Sequence, residues 1–334
     1  PVAGFLEYRR GRRREPMTLG IFLGFVPNQG DAWRYTLDSL GRYFERVMAR
    51  QPGSEEAVLP PEPLLDLAGE PIPDRAGEWM GEYLPAARAL GERTAEMHLA
   101  LAGGGDDPAF APEPFSTLYQ RSLYQSMRNL TGHAMQLLRR RLRHLPEGLR
   151  DDARRVLEAE DRILKRFRGI LDRKITAMRI RIHGDYHLGQ VLHTGKDFVI
   201  IDFEGEPAHT LTARRIKRSP LRDVGGMLRS FHYAAKAHLV GTTGGGTIRE
   251  GDLSVLEPWA RYWNAWVSAA FLGSYLATAS RGSFLPRTRE ELSALLNTYL
   301  MEKAIYELEY ELNNRPDWVK LPLRGILQLL DSRE

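Results

Sequence analysis

Three polar residues, Asp185, Gln190 and Asp202, fall where a short length of chain can focus them on one point. They belong to IRIHGDYHLGQVLHTGKDFVIIDFEGE, residues 180–206. This stretch reads as a β-branched strand from Arg179 to Ile182, a loop opening on His183-Gly184-Asp185, and a β-hairpin. The hairpin strands run Gln190 to Thr194 and Phe198 to Asp202, with Gly195-Lys196-Asp197 turning the chain between them. A carboxylate to accept a proton, with an amide oxygen and a second carboxylate to hold Mg²⁺, is a minimal set for phosphoryl transfer to a hydroxyl. Asp185 would take the proton, and Gln190 and Asp202 would hold the metal. A Gln in place of Asn keeps the hard oxygen and lengthens the arm by one methylene. The competing interpretation is a buried hairpin whose acids only cap turns.

The order matters more than any one triplet. An H-x-D, an amide five residues after the Asp, and an Asp closing the next hairpin follow the catalytic-loop and metal-binding order of protein-kinase-like enzymes. The usual D-F-G reads Asp202-Phe203-Glu204 here. At HGDYHLGQVL and IDFEGEP the sequence resembles the bacterial maltokinases, in the aminoglycoside-phosphotransferase-like branch of the kinase fold. FVPNQGDAW (25–33), LGERTAEMH (90–98), SPLRDVGGMLRSF (219–231) and KAIYELEYELNNRP (303–316) are similar to maltokinase segments too.

The resemblance implies an α+β, protein-kinase-like fold in two parts. Residues 1–27 would be a remnant of the N-lobe sheet with its hinge. Residues 28–334 would form a mostly helical C-lobe carrying the catalytic hairpin, metal site and sugar site. The implied activity is ATP-dependent phosphorylation of maltose to maltose 1-phosphate, in trehalose, glycogen and α-glucan metabolism. Its cofactors would be ATP and Mg²⁺, with a trehalose synthase as a fused or associated partner. On that frame Phe25 and Val26 form the hinge, where backbone groups could hydrogen-bond adenine. His183 would fix the loop or touch the sugar. Asp223 would brace the catalytic loop, unless it simply caps its own helix.

Composition narrows the classes. With 334 residues, 43% of them hydrophobic, the chain can bury a large core. A formal net charge of +4 is small for that length, and the basic residues are mostly Arg. Blocks such as Arg9-Arg10-Gly11-Arg12-Arg13-Arg14 and Arg139-Arg140-Arg141 have no interleaved aromatics, so they predict a solvated face and no nucleic-acid partner. The absence of Cys removes disulfides and thiolate zinc sites and fits a cytoplasmic protein. No signal peptide is evident, and the uncharged run Tyr262 to Ser280 is expected to be a core helix rather than a membrane span.

The elements that must position the site follow from periodicity. Gly4 to Arg9 and Thr18 to Phe25 read as strands. Asp31 is a plausible N-cap for a helix through Met48. A Pro-rich loop covers Pro52 to Pro73, and helices resume near Pro85 to Leu101, with His98 as a packed histidine. Phe115 to Leu142 and Asp151 to Met178 read as two long helices. A helix from about Pro220 to Leu239 follows the basic stretch Arg214-Arg215-Ile216-Lys217-Arg218. Gly241 to Thr247 lacks the context of a phosphate loop and is expected to be a mobile loop. Leu253 to Ser280 and Arg289 to Asn313 complete the helices.

The last of these puts Lys303, Tyr306, Tyr310 and Asn314 on one face. Such a stripe could stack on a pyranose, or it could simply pack the helix with polar tips in solvent. The maltokinase resemblance points to Lys303, Tyr306 and Tyr310 as sugar-binding residues.

The front of the chain departs from the pattern. Kinase-like enzymes pair the ATP phosphates with an early-strand Lys, yet the first Lys here is Lys165. Most of the small lobe and its phosphate-covering segment are expected to be missing. Two alternatives therefore stay open: a non-catalytic sugar-binding lobe or partner module, and a kinase-like phosphotransferase acting on another small alcohol.

Overall fold

The computed structural model describes residues 2–11, 16–50, 57–103, 107–239 and 250–331. Arg12 to Arg14, Gly104 to Asp106 and the glycine-rich Gly241 to Thr247 lie outside the described residues. At the front, β1 (Val2–Tyr8) and β2 (Met17–Leu23) form an antiparallel two-stranded ribbon. Val2, Phe5, Leu6, Leu19, Ile21, Phe22 and Leu23 are all exposed on it.

Helix α1 (Ala32–Arg50) starts where Asp31 Oδ1 accepts the Arg34 N–H at 2.8 Å. Next come α2 (Leu64–Leu67), α3 (Asp74–Met80), α4 (Tyr83–Ala102), β3 (Glu113–Pro114) and α5 (Thr117–Arg141). The Pro-rich stretch is thus not all loop. Pro63 and Pro73 each stand just before a short helix, α2 and α3, where a fixed φ and a missing N–H cost nothing.

The expected helix from Asp151 to Met178 is corrected to two: α6 (Glu147–Glu158) and α7 (Glu160–Arg168), broken at Ala159. The break lets α7 lie along α5 while α6 meets the C-terminal helix α12 (Lys320–Asp331). A single 3-10 turn at Gly169–Leu171 ends the run. The chain then becomes β4 (Met178–Arg179), which pairs with β3.

The expected hairpin is β5 (Val191–His193) against β6 (Phe198–Ile200). It is shorter than expected, because Gln190 ends a 3-10 turn and Asp202 adopts φ 63° outside the ladder. The linker from the ribbon is stitched to it: the Gln29 N–H donates to the His193 carbonyl at 2.8 Å and the His193 N–H to the Gly30 carbonyl at 2.9 Å.

The short α8 (Leu211–Arg214) precedes α9 (Leu221–Leu239), α10 (Leu253–Ala279) and α11 (Arg289–Asn314). The uncharged run from Tyr262 is a core helix, as expected. No helix among the described residues is long and apolar enough to cross a membrane. Trp259, Trp263, Phe231, Phe271 and Tyr275 are fully buried where α9 and α10 meet.

One close approach ties this core to the site. A Cβ on Gly226 of α9 would sit 2.6 Å from the Tyr186 carbonyl oxygen, inside the catalytic loop. Gly226→Ala must therefore push the loop or the helix. We expect it to cost about 1–3 kcal/mol by chemical denaturation; an unchanged midpoint would show that the contact yields freely.

Candidate active site

The loop that carries Asp185 hangs from one buried carboxylate. Asp223, in the first turn of α9 and 2% exposed, accepts the His183 N–H on Oδ2 at 2.8 Å and the Gly184 N–H on Oδ1 at 3.0 Å. His98 of α4, fully buried, places Nε2 3.1 Å from the same Oδ2, and its Nδ1 lies 3.0 Å from the Tyr275 hydroxyl. Burial alone would raise the Asp223 pKa, but the His98 bond and charge, with the loop N–H groups, hold it below its ordinary value. Gly184 has φ 87°, a left-handed value that suits a residue without Cβ, and turns the chain sharply between His183 and Asp185.

His183 was expected to contact the sugar or fix the loop. Its side is now clear: 1% exposed, with Nε2 2.8 Å from the Ile201 carbonyl, it ties the loop to the end of the hairpin. Of the two expected roles, this contact serves the fixing of the loop.

At the end of the hairpin, Asp202 has the one positive φ among described non-glycine residues. That conformation costs an ordinary residue roughly 1–2 kcal/mol, less for Asp, and such strain collects at functional positions. Gln190 Nε2 donates to Asp202 Oδ2 at 2.9 Å. The side chains of Gln190 and Asp202 are thereby held side by side. Two hard oxygens suit Mg²⁺, which normally takes few protein ligands and completes its shell with phosphates and water. The donor set fits that ion. Among the described residues no group of three or more His, Asp or Glu gathers to hold a metal on protein ligands alone.

Two neighbours of Asp185 escaped the sequence reading. His187 Nε2 lies 3.9 Å from Asp185 Oδ2. Its pKa falls to about 4, through burial first and then the nearby charges of Lys303 and His183. At neutral pH it is uncharged. Since Nδ1 accepts the Gly189 N–H at 3.1 Å, the ring proton sits on Nε2, toward Asp185. Glu206 is the second: its charge and a hydrogen bond act on the Tyr306 phenol, raising its pKa after the larger effect of burial, and Asp185 adds to the rise. Both signals were in the sequence, two residues after Asp185 and four after Asp202.

The α11 stripe assembles as its spacing predicts. Lys303 Nζ lies 4.8 Å from the Tyr306 ring centre, and the Tyr306 and Tyr310 rings stack at 6.5 Å. Asn314 instead turns back to donate to the Tyr310 carbonyl at 2.8 Å. Phe25 is 86% exposed, and the Val26 carbonyl accepts from Asn28 Nδ2 at 2.8 Å. At the expected hinge one backbone group is thus already occupied locally.

Comparison with known proteins matches this geometry to a family. A family model described as the phosphotransferase enzyme family matches residues 34–205, just over half the chain. A glucosamine kinase from Streptacidiphilus jiangxiensis is 24% identical over 323 residues, covering 96% of this chain and 59% of that protein. A glucosamine kinase from Mycolicibacterium smegmatis is 29% identical over 151 residues, 45% of this chain and 34% of that protein. Among solved structures, a glucosamine kinase in complex with glucosamine, ADP and inorganic phosphate superposes with a TM-score of 0.68 at 22% identity. That match covers 94% of this chain and 64% of the other. The chain spans about three-fifths of the length of the first of these relatives. With its kinase-like fold and the matched stretch from α1 through the catalytic hairpin, the chain belongs to the phosphotransferase enzyme family.

Proposed function

We propose that the chain supplies the acceptor site and catalytic loop of an ATP-dependent sugar kinase whose acceptor is an amino sugar of the glucosamine type. The observation that carries the choice of acceptor is the acidic foot of the tyrosine stripe. Glu206 and Asp185 both act on the Tyr306 phenol, and Lys303 already rests on the same ring. A site that collects carboxylates beside an aromatic face favours a cationic sugar over a neutral one. The names carried by the similar proteins point the same way.

In the proposed reaction a sugar hydroxyl attacks the γ-phosphorus of ATP. Its O–H proton passes to Asp185, the new P–O bond forms, and the bond to the departing ADP oxygen breaks. Mg²⁺, when held by Gln190 and Asp202, neutralises phosphate charge. His187, uncharged, stands with Nε2 3.9 Å from Asp185 and does not compete for the proton. His183 and Asp223 fix the loop, so that positioning rather than covalent chemistry lowers the barrier.

Maltose is the second acceptor to weigh. It is favoured by the stacked Tyr306–Tyr310 pair, which would suit a neutral glucoside. A trehalose synthase partner goes with maltose and falls with it. The two acceptors separate by calorimetry. Glucosamine is expected to bind at least about tenfold more tightly than maltose, and Glu206→Gln to remove about that factor for glucosamine only. Tighter binding of maltose, or equal losses for both sugars, would reverse the choice.

A further inference from the structure

The basic stretch Arg214-Arg215-Ile216-Lys217-Arg218 does not face solvent as a block. Arg215 is exposed, whereas the Arg214 side chain is only 17% exposed and Lys217 is buried. Lys217 and Arg218 anchor the stretch to the rest of the protein. Lys217 Nζ donates to the Pro108 carbonyl at 2.7 Å and pairs with Glu113 at 3.0 Å. The backbone of Arg218 exchanges two hydrogen bonds with that of Ile180, each 2.9 Å long. At the other end the segment leaves Asp202, which Gln190 holds. Between these anchors lies the loop 203–209, and it carries Glu206.

Arg214 reaches back across that loop. Its Nε donates to the His209 carbonyl at 2.9 Å and its Nη2 to the Pro207 carbonyl at 2.8 Å. Nη1 lies 3.7 Å from the carboxylate of Glu204, the last residue of the D-F-E triplet. The loop also packs on the arginine stem, since a Cβ on Gly205 would sit 3.4 Å from Arg214 Cβ. Among the described residues, no other side chain from outside the loop hydrogen-bonds its backbone. A planar guanidinium presents its N–H groups at fixed angles, so two carbonyls two residues apart are held in one arrangement.

The grip falls on the turn that begins at Glu206, where the His209 N–H donates to the Glu206 carbonyl at 3.0 Å. Holding the Pro207 and His209 carbonyls holds the backbone from which the Glu206 carboxylate acts on the Tyr306 phenol. On a loose loop that carboxylate would spread over many positions, and ordering it would be charged against each sugar bound.

We propose that Arg214 is a positioning residue for the acceptor site: it grips the Pro207 and His209 carbonyls and so holds Glu206 beside Tyr306, setting the preference for a cationic sugar. The preference rests on the amino-sugar reading given above; the grip rests on the loop geometry alone.

The test is a pair of measurements on the whole chain carrying Arg214→Gln, with Arg215→Gln as the charge-matched control. Hydrogen exchange reads the grip without any sugar. The amides of residues 204–209 should exchange at least about fivefold faster in Arg214→Gln and be unchanged in the control. Calorimetry reads the consequence. Glucosamine affinity should fall at least about threefold in Arg214→Gln, while that for glucose, the same ring without the charge, changes less than about twofold. Adding Arg214→Gln to Glu206→Gln should cost nothing further, because one residue acts through the other. Additive losses in that pair, or equal losses for glucosamine and glucose, would overturn the proposal. So would unchanged exchange in Arg214→Gln, or faster exchange with glucosamine affinity unaltered. A wild type that binds glucosamine no better than glucose overturns the amino-sugar reading and the preference assigned to Arg214; the grip then stands or falls on exchange alone.

Discussion

Asp185→Asn is expected to lower turnover by about 10²- to 10⁴-fold while changing sugar affinity less than about threefold. The substitution keeps volume and removes the only capacity that matters, the ability to accept a proton from the attacking hydroxyl. His187 cannot take over, since its Nδ1 is occupied by the Gly189 N–H and burial has pushed its pKa to about 4. Neither Asp202 nor Glu206 can stand in. Asp202 is engaged by Gln190 at 2.9 Å, and Glu206 acts on the Tyr306 phenol. Steady-state assays with the favoured sugar measure the effect. Near-wild-type turnover would remove Asp185 from the mechanism.

Asp223→Ala should be the most damaging single change to stability. It strands the His183 and Gly184 N–H groups and leaves His98 without its carboxylate, all in the interior. Breaking a buried charged network by removing one partner costs about 3–5 kcal/mol, a fall in Tm on the order of 10 °C for a chain of this size. The sign of the pH dependence follows from the depressed Asp223 pKa. Its contribution is present above the ordinary carboxylate pKa and is lost as pH falls through the lower folded value. The wild-type advantage over Asp223→Ala should therefore be constant at neutral pH and shrink only in acid. A melting difference of less than about 2 °C would demote Asp223 to a helix cap.

The parts legible in the sequence were those written as order and period. H-G-D, the amide five residues on, and D-F-E fixed the loop and hairpin because such chemistry tolerates few spacings. The α11 stripe was legible because Lys303, Tyr306 and Tyr310 recur at helical intervals. What stayed hidden depended on partners far along the chain. His98 reads as an ordinary apolar-face histidine until Asp223, 125 residues later, is seen against it. The break at Ala159 carries no Gly or Pro, and only the diverging partners α5 and α12 impose it. His183 sits two residues before Asp185 in sequence, but its ring points back to Ile201. The aromatic spacing that points to maltose was visible in the sequence, while Glu206, contributed by another segment and acting on the same Tyr306 phenol, is seen only in the structure.

The most direct test of the phosphoryl-transfer site is nucleotide binding with and without Mg²⁺, measured by calorimetry on the wild type and on Asp202→Asn. Asn tolerates the same left-handed backbone, so this variant removes the charge and keeps the fold. The account predicts that ATP binding requires Mg²⁺ and weakens at least about tenfold in the variant. An ATP affinity indifferent both to Mg²⁺ and to Asp202→Asn would contradict it.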